Sequence, residues 1–447
     1  MSMKKFILIF IGLAGPFLLH AQPLSVSLKE AKALAIEQGY AMMNANMDIE
    51  ATRREVKEVL AIGLPQISAN VEYQQFLQIP VSLIPGAFVG LAEGEFAEVQ
   101  FGVEYNLTGN ITASQLLFDG TYLVGLKAAK TAVELTQNAR IKTAAEVRVA
   151  VADAYYTSLV AEANKTILEK NLKSVNDLLA ESEALYENGL LEEQDVDQLR
   201  LNRNQIQNSI DNTLKYLDIA LKSLNFIMGV PIDQEVLLTD KIEDLVALNN
   251  NVALLERDYQ MESHPDMLIA RTNVMVQDLT LQGAKAAYYP SLNLFLSHQQ
   301  NAQRNGFNFT DGGQPWFPST ILGVNMNIPI FSSFKRENNV KRSEIKLDKA
   351  ELNLVQAREN LQLNQTRAIA AYENAMRVWN TQKQSMELAE RINERTGIKY
   401  KEGIATSTEL NVARTQLLSE QGRYIDAALQ LLNAKQELDK AFNLFED

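Results

Sequence analysis

From Gln66 to Gln74 the chain alternates in polarity. Ile67, Ala69, Val71 and Tyr73 occupy the odd positions, and Gln66, Ser68, Asn70, Glu72 and Gln74 the even ones. Successive side chains of a strand point to opposite faces, so this run predicts a strand with one oily and one wet face. Phe101 to Ser114 repeats the pattern, with Phe101, Val103, Tyr105, Leu107, Ile111 and Ala113 against Glu104, Asn106, Thr108, Asn110, Thr112 and Ser114. Strands of globular proteins average about 5–6 residues, whereas membrane strands need about 9–11. The pattern therefore predicts Val103, Tyr105 and Leu107 toward lipid and Glu104, Asn106 and Thr108 toward a lumen. Later, Leu292, Leu294 and Leu296 alternate with Ser291, Asn293 and Ser297, although Phe295 falls on the polar side. Thr320, Leu322, Val324, Met326, Ile328 and Ile330 alternate with Gly323, Asn325 and Asn327.

The rest of the pattern is helical. Tyr122 to Glu187 is 66 residues without proline, rich in Ala, Leu, Glu, Lys and Gln, which predicts roughly 100 Å of helix. Phe334 to Glu402 is also free of proline. Each long segment returns through a second helix, about 192–228 and 408–444. Shorter helices are predicted at about 27–62 and 266–288. Ala144, Val147, Val151, Ala154 and Tyr155 recur at helical spacing on one face. Small residues in such a seam let helices approach closely, as in a coiled coil.

The two halves are copies. Leu64-Pro65-Gln66-Ile67 answers to Tyr289-Pro290-Ser291-Leu292, and Leu116-Leu117-Phe118-Asp119-Gly120 to Ile328-Pro329-Ile330-Phe331. Phe118 and Phe331 lie 213 residues apart, and Gly189 and Gly403 lie 214 apart. Internal duplication on this scale sets the architecture. The divisions that follow are 1–21, 22–228 as a first repeat, 229–263 as a mixed, acidic connector opened by Gly229-Val230-Pro231, and 264–447 as a second repeat.

Residues 1–21 begin with Lys4-Lys5, continue through an apolar run from Phe6 to Leu19 and end in Leu19-His20-Ala21. This reads as a secretory signal peptide; the run of 14 residues is short of the roughly 20 that an N-terminal membrane anchor needs. Cysteine is absent, which excludes disulfides and a lipidated N-terminal cysteine. The net charge of -13 becomes -15 without Lys4 and Lys5. That argues against nucleic acid as a partner, because phosphate binding needs a basic face.

Beyond the leader, no stretch holds 18 continuous apolar residues, so a membrane crossing must be a β-barrel. Four strands cannot close a barrel, and an open edge in lipid leaves backbone groups unpaired. Three chains give twelve strands, the smallest closed number here that leaves a usable lumen. Segments 77–99 and 301–318 are the candidate outer loops, rich in Gly and Pro, and Phe96, Phe101, Trp316 and Phe317 are candidates for an interfacial aromatic girdle. The alternatives are a soluble β-sandwich edge for the strands and a non-channel periplasmic or surface coiled-coil protein for the whole.

Nothing points to an enzyme. The three histidines, His20, His264 and His298, form no metal-ligand spacing, and no Gly-rich phosphate loop followed by Lys-Ser/Thr occurs. No metal or cofactor is implied. The strongest functional candidates are the two helix reversals, Tyr186-Glu187-Asn188-Gly189-Leu190 and Tyr400-Lys401-Glu402-Gly403-Ile404. Gly189 and Gly403 can take a left-handed cap, and Ser407 or Thr408 can start the next helix with Glu409 in its first turn. These segments are read either as plain hairpin geometry or as a contact surface too.

Together these features resemble the TolC family of outer membrane efflux and secretion channels. The resemblance rests on Ser27-Leu28-Lys29-Glu30-Ala31, Leu64-Pro65, Tyr289-Pro290, Leu116-Phe118-Asp119-Gly120, Ser263-His264-Pro265-Asp266 and the paired Tyr-x-x-Gly reversals. It covers almost the whole mature chain, with His264 standing where the family usually has Arg. It implies a mainly α, internally duplicated fold with membrane β. Four strands per chain would join a trimeric 12-stranded outer membrane β-barrel, continued by a long periplasmic α-helical coiled-coil barrel. It implies a homotrimer in contact with outer membrane lipid, a periplasmic adaptor and an inner-membrane transporter. Tyr186, Gly189, Leu190, Tyr400, Gly403 and Ile404 then fall at the adaptor-facing tips. Glu409 and Asp195 match an acidic tip position of the family, with Glu409 toward the lumen as a pore constriction. The family's second acid one turn on is Val412 here, and its latching Arg in the second reversal is Ala405.

Overall fold

The computed structural model describes residues 23–92, 94–249 and 261–444. The leader read at 1–21 and the stretch 250–260 of the connector lie outside the described residues. In chain order the elements are β1 (Leu24–Val26), α1 (Leu28–Gln38), α2 (Tyr40–Ile62), β2 (Gln66–Gln75), β3 (Val81–Pro85), β4 (Phe96–Gln100), β5 (Tyr105–Phe118), α3 (Gly120–Glu187), α4 (Glu193–Met228), β6 (Val236–Leu238), α5 (Ile242–Asn249), α6 (Pro265–Ala286), β7 (Ser291–Arg304), β8 (Phe317–Asn327), α7 (Lys335–Lys401) and α8 (Ser407–Phe442). The chain packs into two compact units. Of the described residues, one unit comprises 23–44, 142–249, 261 and 361–444, and the other 45–92, 94–141 and 262–360. Each unit thus takes pieces from both sequence repeats.

The sheet-bearing unit holds β2, β5, β7 and β8 in the antiparallel order β2-β5-β7-β8. The two hairpins, one from each repeat, join through β5 and β7. Register brings the four oily sets to one face: Ile67 lies opposite Ala113 and Tyr73 opposite Leu107, Ala113 opposite Leu296, and Leu296 opposite Leu322 and Leu292 opposite Met326. Residues directly opposite share a face. On the other face Asn110, Thr112 and Ser297 form a closed hydrogen-bonded ring of 2.8–3.3 Å contacts. Phe295, out of place in the sequence pattern, lies opposite Gly323, and a Cβ there would come within 2.6 Å of its ring. The missing side chain is what leaves room for the aromatic ring.

Three sequence expectations are corrected. The second strand starts at Tyr105, not Phe101, so Val103 and Glu104 precede it; the chain bends at Gly102, whose φ of 140° departs from strand geometry. Residues 77–99 are not simple loop but carry most of an extra antiparallel hairpin, β3–β4. Helix 27–62 is broken at Gly39, which is extended. A Cβ on Gly39 would meet Ala35 O at 2.3 Å and Ile227 O at 2.9 Å, so the break serves a close approach to the end of α4.

In the other unit β1 pairs in parallel with β6, and a core gathers around the fully buried Tyr155, Tyr156, Tyr372, Leu431 and Leu432. The Tyr155 hydroxyl donates to Val26 O at 3.1 Å and Asp240 Oδ2 at 2.8 Å, and Leu28 N donates to the same carboxylate at 2.7 Å. Burial raises the pKa of Tyr155, which keeps that donor protonated. Ser27 and Glu30 form the capping box that opens α1.

Candidate functional site

Two regions carry the candidate chemistry, and each sits within one compact unit. The first is the pair of helix reversals. Gly189 and Gly403 have φ of 74° and 71°. Gly189 N bonds Tyr186 O at 2.9 Å and Leu190 N bonds Leu185 O at 2.9 Å. The second reversal repeats this, with Gly403 N on Tyr400 O at 3.0 Å and Ile404 N on Lys399 O at 2.8 Å. Both are Schellman caps, in which a left-handed glycine lets the chain satisfy the last carbonyls of a helix. The residue after each glycine is thrust outward: Leu190 is 73% and Ile404 74% exposed. Tyr186 is exposed, whereas Tyr400 packs against a small core of Leu178, Leu179, Val196, Leu199 and Leu410.

The start of α8 differs from expectation. Thr406, not Ser407 or Thr408, is the N-cap: its hydroxyl accepts from Glu409 N at 3.2 Å, and Glu409 Oε2 accepts from Thr406 N at 2.7 Å. The T-x-x-E spacing that signals this box was present in the sequence. The backbone N–H of Thr406, and then its hydroxyl at 3.1 Å, donate to the Glu409 carboxylate and lower its pKa. Ser407 is thereby free to cross to the other reversal, where its hydroxyl donates to Asp195 Oδ1. Glu192, the N-cap of α4, makes no side-chain cap. A groove of about 580 Å³ runs between the reversals, with Glu181, Asp195, Tyr400, Lys401 and Ala405 in its lining.

Behind the tips, Asn202 Nδ2 donates to Asn411 Oδ1 at 2.8 Å and Asn171 Nδ2 to Gln421 Oε1 at 3.3 Å. These ties between α3/α4 and α8 were missed, because an amide on a long helix looks like any solvated position in sequence. His264 caps α6, its Nδ1 accepting from Asp266 N at 3.2 Å.

The second region is the sheet. Its edge strands β2 and β8 expose almost every residue, whereas β5 and β7 are mostly half-buried. Among the described residues, the outer edges of β2 and β8 have no partner strand. At the loop end Tyr73, Tyr105, Phe307 and Phe309 form an edge-to-face cluster with centroids 5.6–6.4 Å apart. Phe96, Phe101, Trp316 and Phe317 are exposed.

The sequence pattern of outer membrane efflux proteins matches residues 33–230 and 260–444. The chain belongs to the outer membrane efflux protein family. A multidrug resistance outer membrane protein of Escherichia coli, MdtQ, is 24% identical over 301 residues, covering 64% of this chain and 59% of MdtQ. The chain therefore spans less than two thirds of the length of that relative. The outer membrane protein VceC of Vibrio cholerae superposes with a TM-score of 0.66 at 15% identity, over 93% of this chain and 95% of VceC. The CmeC outer membrane channel of Campylobacter jejuni does so with a TM-score of 0.70 at 16% identity, over 93% and 85%. The family is thus that of outer membrane efflux proteins, and the fold is the one these solved structures share. Among the described residues no helix is long and apolar enough to cross a membrane.

Proposed function

We propose that this chain is the outer membrane exit duct of a tripartite efflux or type I secretion system. Three copies close one twelve-stranded barrel. The oily face of Ile67, Val71, Tyr105, Leu107, Leu296, Leu322 and Val324 meets lipid, and the polar face of Asn106, Thr108, Asn110 and Thr112 lines the lumen. The observation that carries this reading is a four-stranded sheet with one oily face and two unpaired edges. Lipid offers no hydrogen bonds to an open edge, and each unpaired backbone group costs several kcal/mol there. Only neighbouring copies supply the missing strands.

Conduction is passive, and energy enters through an inner-membrane transporter joined by a periplasmic adaptor. The adaptor docks on the tips, where Tyr186, Leu190 and Ile404 offer apolar side chains and Gly189 and Gly403 set the turns. Glu409 and Asp195 stand at the narrow entrance, where carboxylates from three copies favour cations. The signal peptide and the outer membrane location belong to the same reading. Cross-linking and mass measurement of the detergent-extracted protein test it: a heat-modifiable trimer that conducts in planar bilayers is expected, and a stable, non-conducting monomer overturns it.

A further inference from the structure

The turn from β8 into α7 combines bare apolar side chains with cations that form no salt bridge among the described residues, although Arg342 donates to Asn339 Oδ1 at 2.6 Å. Past the end of β8, Ile328, Ile330 and Phe331 are 57%, 90% and 75% exposed. Ser333 and Phe334 have φ of 47° and 66°, a conformation that disfavours side chains by about 1–2 kcal/mol each. That turn sets Phe334 edge-on to Phe331, with centroids 6.0 Å apart. Immediately beyond lies a cleft of about 600 Å³, lined by Ala287, Lys335, Arg336, Asn338, Asn339 and Arg342.

No carboxylate lines this cleft. Lys341 is neutralised by Glu337 at 2.6 Å, and Lys285 approaches Glu344 at 3.9 Å. Lys335, Arg336 and Arg342 form no salt bridge among the described residues. Arg336 stands 5.2 Å from the centre of the Tyr288 ring, and its Nε is buried without a hydrogen-bond partner. Residues 335–349 hold six basic and three acidic side chains in a chain of net charge -13. Local basic excess against an acidic whole marks an anion as the occupant.

We propose that this cleft binds the headgroup phosphate of an anionic glycerophospholipid in the leaflet nearest the helices. Its acyl chains lie along Ile328, Ile330 and the Phe331–Phe334 pair, which continue the Leu322, Val324 and Met326 face of β8. The apolar half of the site selects a lipid over free phosphate, which would leave those side chains bare. This inference rests on the membrane reading of the sheet.

The test uses the full chain extracted in detergent and titrated with palmitoyl-oleoyl phosphatidylglycerol or the matching phosphatidylcholine, with bound lipid counted by native mass spectrometry. Phosphatidylglycerol should be retained in preference. Each removed cation should weaken it roughly fivefold, so Lys335→Gln with Arg342→Gln should lose about 25-fold, and Arg336→Gln should add to that loss. Lys335 and Arg342 are exposed, so these changes leave folding intact, and heat-modifiable migration confirms it. Equal retention of the two lipids, retention unchanged in the variants, or displacement of the lipid by inorganic phosphate at matched ionic strength overturns the proposal. Outer membrane insertion is scored on the same samples. A wild-type protein that never inserts brings down the duct reading and this one with it, whereas normal insertion without lipid preference removes only the cleft.

Discussion

The hydrogen bond from Ser407 to Asp195 joins two helix reversals that are 212 residues apart in sequence, and removing it should loosen the tips. Both side chains are half-buried. A hydrogen bond to a charged acceptor contributes about 1.5–3 kcal/mol, and partial solvation places this one at the lower end. Ser407→Ala deletes the donor while the Thr406–Glu409 capping box keeps α8 started. The loss of about 1.4 kcal/mol corresponds to a tenfold shift toward separated tips in each chain. Absence of native cysteine permits spin labels at Leu190→Cys and Ile404→Cys, both on exposed positions, and their separation can be read by pulsed dipolar spectroscopy. Ser407→Ala should broaden and lengthen the distance distribution and raise the open fraction in planar bilayers. Thr408→Ala, one residue on and exposed, should do neither. The double variant with Asp195→Ala should be no worse than either single one, because both remove the same contact. Additive effects of the two single changes, or an unchanged distribution in Ser407→Ala, would refute the tie.

Four further expectations follow from the same geometry. Gly229→Ala forces a side chain onto φ 76° and within 2.3 Å of Gln38 O, so its Tm should fall well beyond that of Gly403→Ala, which meets open space and carries only the about 1–2 kcal/mol backbone term; equal Tm values would contradict the close approach. Val324→Arg on the oily face should cost up to about 2–4 kcal/mol of folding in lipid while Asn325→Arg is tolerated, and the reverse ranking in refolding assays would flip the sheet. Burial lowers the Lys32 pKa to about 8, with Asp439 and Asp153 opposing and Lys435 and Arg148 adding to the shift; because the unfolded chain holds the proton more tightly, this group's contribution to stability rises from pH 8 toward 10.5. Lys32→Met should therefore gain Tm over wild type most at neutral pH and least above pH 10, and a pH-independent difference would refute the linkage. Glu409→Gln retains a capping acceptor but removes the charge, so cation preference and block by multivalent cations should weaken in bilayers; unchanged selectivity would move that carboxylate off the conduction path.

Much of this architecture was legible in local pattern. Alternation of polarity marked each of the four long strands, freedom from proline marked α3 and α7, and glycine at 189 and 403 marked both reversals. Each of these depends on the preferences of residues a few positions apart, so the sequence alone determines it. Even the capping box of α8 was written as T-x-x-E. Other features arise only when distant segments meet. Alternation ran unbroken through Val103 and Glu104, yet the bend at Gly102 delayed the strand to Tyr105. Phe295 broke the polar face on paper, and Gly323 of the neighbouring strand accommodates it. Gly39 interrupts a helix because the end of α4 leaves no room for a Cβ. Asp195 looked like one more acidic tip residue until the fold brought Ser407 against it. Strand order, register and such pairings depend on which surfaces touch across some two hundred residues of chain, and no local propensity encodes that choice.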